Sequence, residues 1–528
     1  MSNEQQEIAE PELVKFKVDG REVAAPKGKN LLQALLDAGE DVSYFCYHRC
    51  LSVAAVCRQC MVSIGGRIVP ACQNVVTDGL EVLSNSSQAV LDARRKMLEY
   101  TLVNHPLDCV MCDKAGECAL QRQYMDWDTK PSLVNHNKLE KPKKVDLGPD
   151  IVLDAERCIL CSRCMRFCAE IAKQPELTFC QRGDHSFLTT APGRRLQNPY
   201  SLNTVDICPV GALTDKNFRF QARVWELFAT NSVCNGCSRG CPMEIHHRKG
   251  KIYRMVPPKK WDMNLNWMCN YGRSTYEQLA ENRLTAPRLN KTECTLDRAL
   301  EWTAQKLKDS DRSKIGVVLG ADVTNEDNFA AVRFATDVLK TGLIYLAELP
   351  DNNEGDEILR QNDPNPNRGG AKACGKGQLK TIEQLVADLK EQKLKVLYVV
   401  SDVLALPEEA LQHVSSLDAL IMQVSCSSPL ADKAQVLLPA AKWAEVDGTI
   451  TNFEGKVQRL YAAIEPPGLA RPHWDLLARV TQLMETSLEF VSAGAIFGAM
   501  VEKVEKFAGA NWGNELPRRQ LRFAGRRG

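Results

Sequence analysis

Twenty-one cysteines stand in a chain of 528 residues, and eighteen of them fall between positions 46 and 269. Only Cys294, Cys374 and Cys426 lie beyond. A thiolate is a soft ligand suited to iron–sulfur clusters and to zinc. In a reducing compartment crowded cysteines are expected to bind metal rather than pair as disulfides. One half of the chain is therefore expected to carry metal and the other to be an ordinary α/β domain.

The cysteines sort into four groups by spacing. Cys46, Cys57, Cys60 and Cys72 have the arrangement of a plant-type [2Fe–2S] site, a C-x2-C pair in a loop followed by a distant cysteine. Ser52, Ala54 and Ala55 are small enough to let that loop wrap a cluster and aim backbone N–H groups at its sulfurs. Cys50 in the same loop reads as a bystander thiol. Cys109, Cys112 and Cys118 lack a fourth thiol, and His105, one helical turn upstream, supplies a ligand for a [4Fe–4S] cluster. A neutral imidazole in place of a thiolate removes a negative charge and shifts the reduction potential.

Cys158, Cys161 and Cys164, completed by the remote Cys208-Pro209, follow the bacterial [4Fe–4S] ferredoxin signature. Cys168 and Cys180 are too few for a second cluster and read as non-ligands. Cys234, Cys237, Cys241 and Cys269 fit a further [4Fe–4S] site. Structural zinc held by four cysteines is the competing reading for the first and last groups. His48, His136, His185, His246, His247, His413 and His473 have no such spacing to support a ligand role.

The elements that hold these ligands can be read in outline. Leu13 to Val18 alternates as a strand, Asp19-Gly20 turns it, and Glu22-Val23 begins the return. Leu31 to Ala38 is a short amphipathic helix stopped by Gly39. Strands follow at Cys60–Ile64 and Ile68–Ala71 around Gly65-Gly66, an order that matches a β-grasp ferredoxin. Ser86-Ser87 caps a helix running to about Val103. Lys138 to Pro149, rich in Lys and Pro, reads as a linker. The runs Ile315–Gly320 and Val396–Val400 are expected to be buried strands of a parallel sheet flanked by helices. Neither is followed by a G-x-G-x-x-G or Walker loop.

The expected domains are 1–85, a plant-type [2Fe–2S] β-grasp domain, 86–150, the one-histidine, three-cysteine segment with its linker, and 151–228, a ferredoxin-like [4Fe–4S] domain. Residues 229–290 form a four-cysteine [4Fe–4S] domain and 291–528 an α/β domain. The fold class is thus multidomain α+β and α/β. Such a length exceeds one hydrophobic core. Lys and Arg number 67 against 66 Asp and Glu, a balance that argues against nucleic-acid binding. The basic cluster Arg518, Arg519, Arg522, Arg526 and Arg527 reads as a solvated tail or a rest for a neighbouring subunit. No run approaches the 18 or so apolar residues of a membrane span. The polar, acidic segment Met1–Glu7 is neither a secretion signal nor a transit peptide, so a bacterial cytosol is expected.

These residues closely resemble the large iron–sulfur (G) subunit of bacterial NADH–quinone oxidoreductase, respiratory complex I. The resemblance is carried by Cys46-Tyr47-His48, Cys57-Arg58-Gln59-Cys60, His105-Pro106-Leu107-Asp108-Cys109 and Gly116-Glu117-Cys118. Arg157-Cys158-Ile159-Leu160-Cys161, Arg182-Gly183-Asp184, Asp206 to Leu213, Trp225-Glu226-Leu227 and Cys269 to Arg273 add to it. It implies an electron-transfer subunit of the peripheral arm, with no substrate site of its own. Single electrons would pass from an FMN-bearing, NADH-oxidising partner toward quinone, coupled to ion translocation by the membrane arm. The implied partners also include a small [2Fe–2S] subunit and the quinone-module subunits, on the cytoplasmic side of the inner membrane. In the family the cluster matching the Cys234 group occurs only in some members and lies off the main path.

Ala434 to Ala440 and Glu445 to Gln458 resemble molybdopterin oxidoreductases. The 259 residues after Cys269 are too few for a complete molybdenum enzyme, so this half is expected to be a truncated scaffold. One [2Fe–2S] and three [4Fe–4S] clusters are implied, with no molybdopterin, FMN or NAD on this chain. The alternative is an electron-transfer subunit of a NAD-linked hydrogenase or formate dehydrogenase.

Overall fold

The computed structural model describes residues 12–127, 131–132, 135, 137–258, 264, 266–513 and 518–522. The acidic N-terminal segment, His136, Arg526 and Arg527 lie outside the described residues. The chain divides into two compact units, Met1–Glu226 with Leu521–Gly528, and Leu227–Gln520.

In the first unit Leu13–Val18 and Arg21–Pro26 form an antiparallel hairpin. Leu13–Val18 also pairs in parallel with Glu81–Leu83, which in turn leads to Met61–Ile64 and Arg67–Pro70 in one five-stranded sheet. Alternation puts Val14, Phe16 and Val18 inside, where they meet Leu31, Leu32 and Leu35 of the helix Leu31–Asp37. Gly39 ends that helix at φ +81°, in the left-handed region where a side chain would be strained. Asn30 does two things here. Its Oδ1 accepts from Gln33 N at 3.2 Å and caps the helix, while its Nδ2 donates to the Cys72 carbonyl at 2.7 Å.

The helix Gln88–Leu102 is fastened by Arg94, only 1% exposed. Arg94 Nε donates to the Met61 carbonyl at 2.9 Å, and its terminal nitrogens donate to Asn85 Oδ1 and Ser84 Oγ. Ser87 stands at the N-cap, but its side chain makes no cap hydrogen bond.

Beyond the helix Ala119–Trp127, the strands Leu213–Asp215, Ile151–Leu153 and Val145–Asp146 form a three-stranded antiparallel sheet. Val145–Asp146 lies inside the stretch read as a linker, so that stretch contributes an edge strand. A hairpin, Leu177–Cys180 with Phe187–Thr190, adds to this part. The helix Arg163–Arg166 widens into a π-turn at Phe167–Ile171, and Asn203–Ile207 is a short helix just before Cys208.

In the second unit Phe228–Val233, Pro242–Arg248 and Lys251–Val256 form an antiparallel sheet, with Arg518–Gln520 added at one edge. A seven-stranded sheet dominates the rest. Ile344–Ala347, Ile315–Gly320, Val396–Val400, Ala419–Val424 and Val436–Pro439 run parallel in that spatial order. Arg288–Leu289 and Thr292–Glu293 close one edge in antiparallel fashion. The central strands are buried on both faces, as near-continuous Val, Ile and Leu runs require. Helices Leu296–Asp309, Asn325–Arg333 and His473–Leu483 pack against one face. Ile382–Lys390 and Glu408–Val414 lie on the other.

Candidate metal centres

The Cys46 loop is shaped by two left-handed residues, Ala55 at φ +52° and Arg58 at +51°. Cys46 N donates to Cys57 Sγ at 3.4 Å. The thiols fall into two interacting pairs, Cys46 with Cys57 and Cys60 with Cys72. Hydrogen bonding within each pair holds Cys46 and Cys72 below the ordinary thiol range and pushes Cys57 and Cys60 above it. Cys50 N donates to His48 Nδ1 at 3.3 Å, so this part of the loop is a local turn.

His105, Cys109, Cys112 and Cys118 line one cavity of about 380 Å³, which Leu107 and Gly211 also border. His105 Nδ1 is buried and, among the described residues, has no hydrogen-bond partner. Burial pushes the imidazole down to about 4, which leaves it neutral, the form that binds metal. Burial pushes the Cys118 thiol up to about 12, although Gln121 N donates to its Sγ at 3.4 Å. Gly211 is a close approach: a Cβ there would stand 2.2 Å from Cys112 Sγ.

Cys158, Cys161, Cys164 and Cys208 line one hollow walled by Phe179, Leu188, Val210 and Leu213. Leu160 and Ser162 take φ of +54° and +60°, which bends the C-x2-C-x2-C run around the hollow. Burial, then the neighbouring thiols, raises Cys158 to about 12 and Cys161 to about 11. Cys168 faces elsewhere and receives Asn198 Nδ2 at 3.9 Å; Cys180 ends the strand Leu177–Cys180.

In the second unit Cys234 N donates to the Cys241 carbonyl at 2.9 Å, closing the loop that holds Cys237. Cys269 begins the helix Asn270–Ser274 and accepts from Gly272 N at 3.3 Å. A Cβ at Gly272 would lie 2.9 Å from Cys234 Sγ and 3.3 Å from Cys269 Sγ. Burial and the adjacent Cys241 and Cys269 sulfurs raise Cys234 well above the thiol range.

These donor sets suit an iron–sulfur cluster. Several crowded, buried thiols are costly to ionise alone, and bound metal cations are what stabilise thiolates in such surroundings. Among the described residues no group of three or more His, Cys, Asp or Glu is gathered tightly enough for a single metal ion. Cluster ligands bind separate irons and so stand further apart than ligands sharing one ion. Other histidines have partners of their own: His247 meets Thr230 Oγ1 at 2.8 Å and His473 meets Gln423 Oε1 at 3.0 Å.

Sequence spacing did not reveal the arginines around the sites. Arg157 donates to both carboxylate oxygens of Asp108, and Arg223 donates to the Cys112 carbonyl at 2.7 Å. The motif Arg157-Cys158 and the Asp108-Cys109 pair were the available signals.

The far half of the chain shows a different chemistry. A cavity of about 260 Å³ is lined by Asp322, Asp327, Asp402, Lys442 and His473, among others. Glu445, in the segment that resembles molybdopterin enzymes, forms a buried ion pair with Arg283 at 2.5 Å. Glu326 is fully buried and accepts from Thr449 N and Oγ1, both at 2.7 Å. Burial raises its carboxyl to about 7.

Four protein families match successive stretches. Residues 12–87 match 2Fe-2S iron-sulfur cluster binding domains, and 94–130 match the NADH-ubiquinone oxidoreductase-G iron-sulfur binding region. Residues 148–214 match the ferredoxin-like domain of NADH-quinone oxidoreductase subunit 3, and 247–482 match molybdopterin oxidoreductases. The G subunit of NADH-quinone oxidoreductase from Streptomyces coelicolor is 37% identical over 62% of this chain and 40% of its own length. This chain is a relative of that G subunit.

Subunit 3 of NADH-quinone oxidoreductase from Thermus thermophilus is 34% identical over 62% of this chain and 47% of its own length. The match thus spans under half the length of these relatives. The G subunit from Mycobacterium tuberculosis is 34% identical over 67% of this chain and 45% of its own length. Among solved structures, a NAD+-reducing [NiFe]-hydrogenase in the H2-reduced state superposes with a TM-score of 0.37 at 29% identity, covering 40% of this chain and 91% of that one. Acetylene hydratase from Pelobacter acetylenicus gives 0.38 at 11% identity, covering 54% and 72%. The fold class expected from sequence holds, with [2Fe–2S], [4Fe–4S] and molybdopterin-oxidoreductase-like domains in that order.

Proposed function

We propose that this chain is an electron-transfer subunit of the peripheral arm of NADH:quinone oxidoreductase. Its partners would be the FMN-bearing subunit, a small [2Fe–2S] subunit and the quinone-module subunits. Cys46, Cys57, Cys60 and Cys72 hold a [2Fe–2S] cluster. Three [4Fe–4S] clusters are held by His105 with Cys109, Cys112 and Cys118, by Cys158, Cys161, Cys164 and Cys208, and by Cys234, Cys237, Cys241 and Cys269. The observation that carries this reading is the His105 cavity, where an imidazole with an unpartnered buried nitrogen faces the same space as three thiols.

Bound clusters supply one-electron transfer, at potentials tuned by cluster type, hydrogen bonds and burial. The protein's own residues do the rest. Gly211 and Gly272 let backbone approach sulfur closely, while N–H groups of Gln121, Gly236 and Gly272 donate to ligand sulfurs. Such bonds offset negative charge and favour the reduced state.

The domains are taken to be 1–85, 86–150, 151–228, 229–290 and 291–528, the last without cofactor. Three carboxylates line the 260 Å³ cavity of the second unit, a poor receptor for a phosphate-bearing pterin and below the usual size of ligand pockets. Among the described residues no helix is long and apolar enough to cross a membrane. We place the chain on the cytoplasmic face of the membrane through its partners.

Iron and sulfide analysis with low-temperature EPR tests the reading. About fourteen irons per chain are expected, with separate [2Fe–2S] and [4Fe–4S] signals on reduction. Zinc in their place, with no paramagnetic signal, would refute it.

A further inference from the structure

The turn that carries Cys161 and Cys164 has a second face. Arg163, Arg166 and Glu170 recur at intervals of three and four residues, so they share one side of the helical run Arg163–Arg166 and Phe167–Ile171. That side grips the Cys46 loop. Arg166 Nη2 donates to the Cys46 carbonyl at 2.5 Å and lies 3.5 Å from the Cys161 carbonyl. Its Nη1 donates to the Ser52 carbonyl. Arg163 Nη2 donates to the Tyr47 carbonyl at 2.6 Å, and its Nη1 to the Ile207 carbonyl at 3.1 Å. Glu170 completes the grip by accepting from Ser52 N at 2.8 Å and Ser52 Oγ at 2.5 Å.

We propose that Arg166 is a positioning residue that ties the Cys46 site to the Cys161 site and sets the reduction potentials of both together. The proposal rests on the reading that both sites hold clusters. One guanidinium reaches the backbone carbonyls of a ligand residue from each group, so it fixes their separation through two hydrogen bonds and no flexible linker. It is half-buried and keeps its charge at any working pH. A cation held beside a cluster favours its reduced, more negative state, and here one cation lies beside two. Arg166 holds the Ser52 and Cys46 carbonyls with its two terminal nitrogens, and Arg163 holds the Ile207 and Tyr47 carbonyls with its own, a fork that a single ammonium reproduces only in part.

The test uses the full chain carrying its clusters, with redox-titrated EPR of Arg166→Gln and Arg166→Lys. In Arg166→Gln the midpoints of the [2Fe–2S] cluster and the Cys161 [4Fe–4S] cluster move negative together, while the His105 cluster stays put. Arg166→Lys restores part of the shift in both. Unmoved midpoints, or movement of only one, would overturn the proposal. Should Arg166→Gln fail to assemble, Arg166→Lys decides by the same two midpoints, expected to move negative by a smaller step. A wild-type chain without the two signals fails the cluster reading itself, whereas intact signals with unmoved midpoints fail only the role of Arg166.

Discussion

Arg157 holds Asp108 at two points, Nε to Oδ1 at 3.2 Å and Nη2 to Oδ2 at 2.6 Å. Each partner precedes a proposed ligand, Cys158 and Cys109 respectively, so the pair clamps two cluster segments together. Burial raises the Asp108 carboxyl, but the Arg157 hydrogen bonds and charge bring it below the usual carboxylate range. Charge-assisted hydrogen bonds of this kind contribute about 2 kcal/mol. Asp108→Ala should therefore loosen the Cys109 loop and lower the occupancy of its cluster. EPR spin counts would show the His105 cluster signal falling while the [2Fe–2S] signal holds.

His105→Cys should keep a cluster but lower its potential, because an anionic ligand stabilises the oxidised state. Redox-titrated EPR measures this directly. An unchanged midpoint would count against His105 as ligand.

Added methyl groups offer a sharper probe of site shape. Gly211→Ala would drive a Cβ to within 2.2 Å of Cys112 Sγ, and Gly272→Ala to within 2.9 Å of Cys234 Sγ. Each variant should lose iron equal to one [4Fe–4S] cluster, about four atoms per chain, from its own site. Iron analysis with spectra of the remaining signals checks the assignment.

The Arg283–Glu445 pair is 6% and 3% exposed at its side chains. Removing one partner of a buried pair leaves an uncompensated charge, at about 3–5 kcal/mol. Arg283→Met should thus lower the denaturation midpoint of the second unit. The double variant Arg283→Met, Glu445→Leu should recover much of the loss.

Glu326 gives the second unit a pH signature. Its carboxyl is raised by burial to about 7 from 4.5. The folded state then binds the proton more tightly than the unfolded one, so stability falls as pH rises from about 4.5 to about 7 and is level above that. The fall attributable to this group is about 3 kcal/mol. Urea titrations of Glu326→Gln across that window should show a flatter profile than wild type.

Much of the fold was legible because its signals are local. Alternation at Leu13–Val18, the glycine stop after Asp37 and the apolar runs Ile315–Gly320 and Val396–Val400 each declare an element within a few residues. The cysteine spacings are local in the same way, and the residues grouped by spacing as His105, Cys109, Cys112 and Cys118, and as Cys158, Cys161, Cys164 and Cys208, each line one hollow. Val145–Asp146 was missed because two residues carry no period, and only their pairing with Ile151–Leu153 makes them a strand. Arg166 was missed because its partners Cys46 and Ser52 lie more than a hundred positions away. A lone basic residue looks the same in sequence whether it is solvated or bridges two loops.

The segment from Cys208 to Gly211 serves two masters. Cys208 belongs to one proposed set of ligands, while Pro209 accepts from Ala119 N at 2.9 Å and Gly211 lies against Cys112, both beside the other proposed set. Loading iron into either hollow therefore braces a wall of its neighbour. Maturation of this pair should be cooperative, so that a cell short of iron accumulates chains with both hollows filled or both empty in preference to half-built ones.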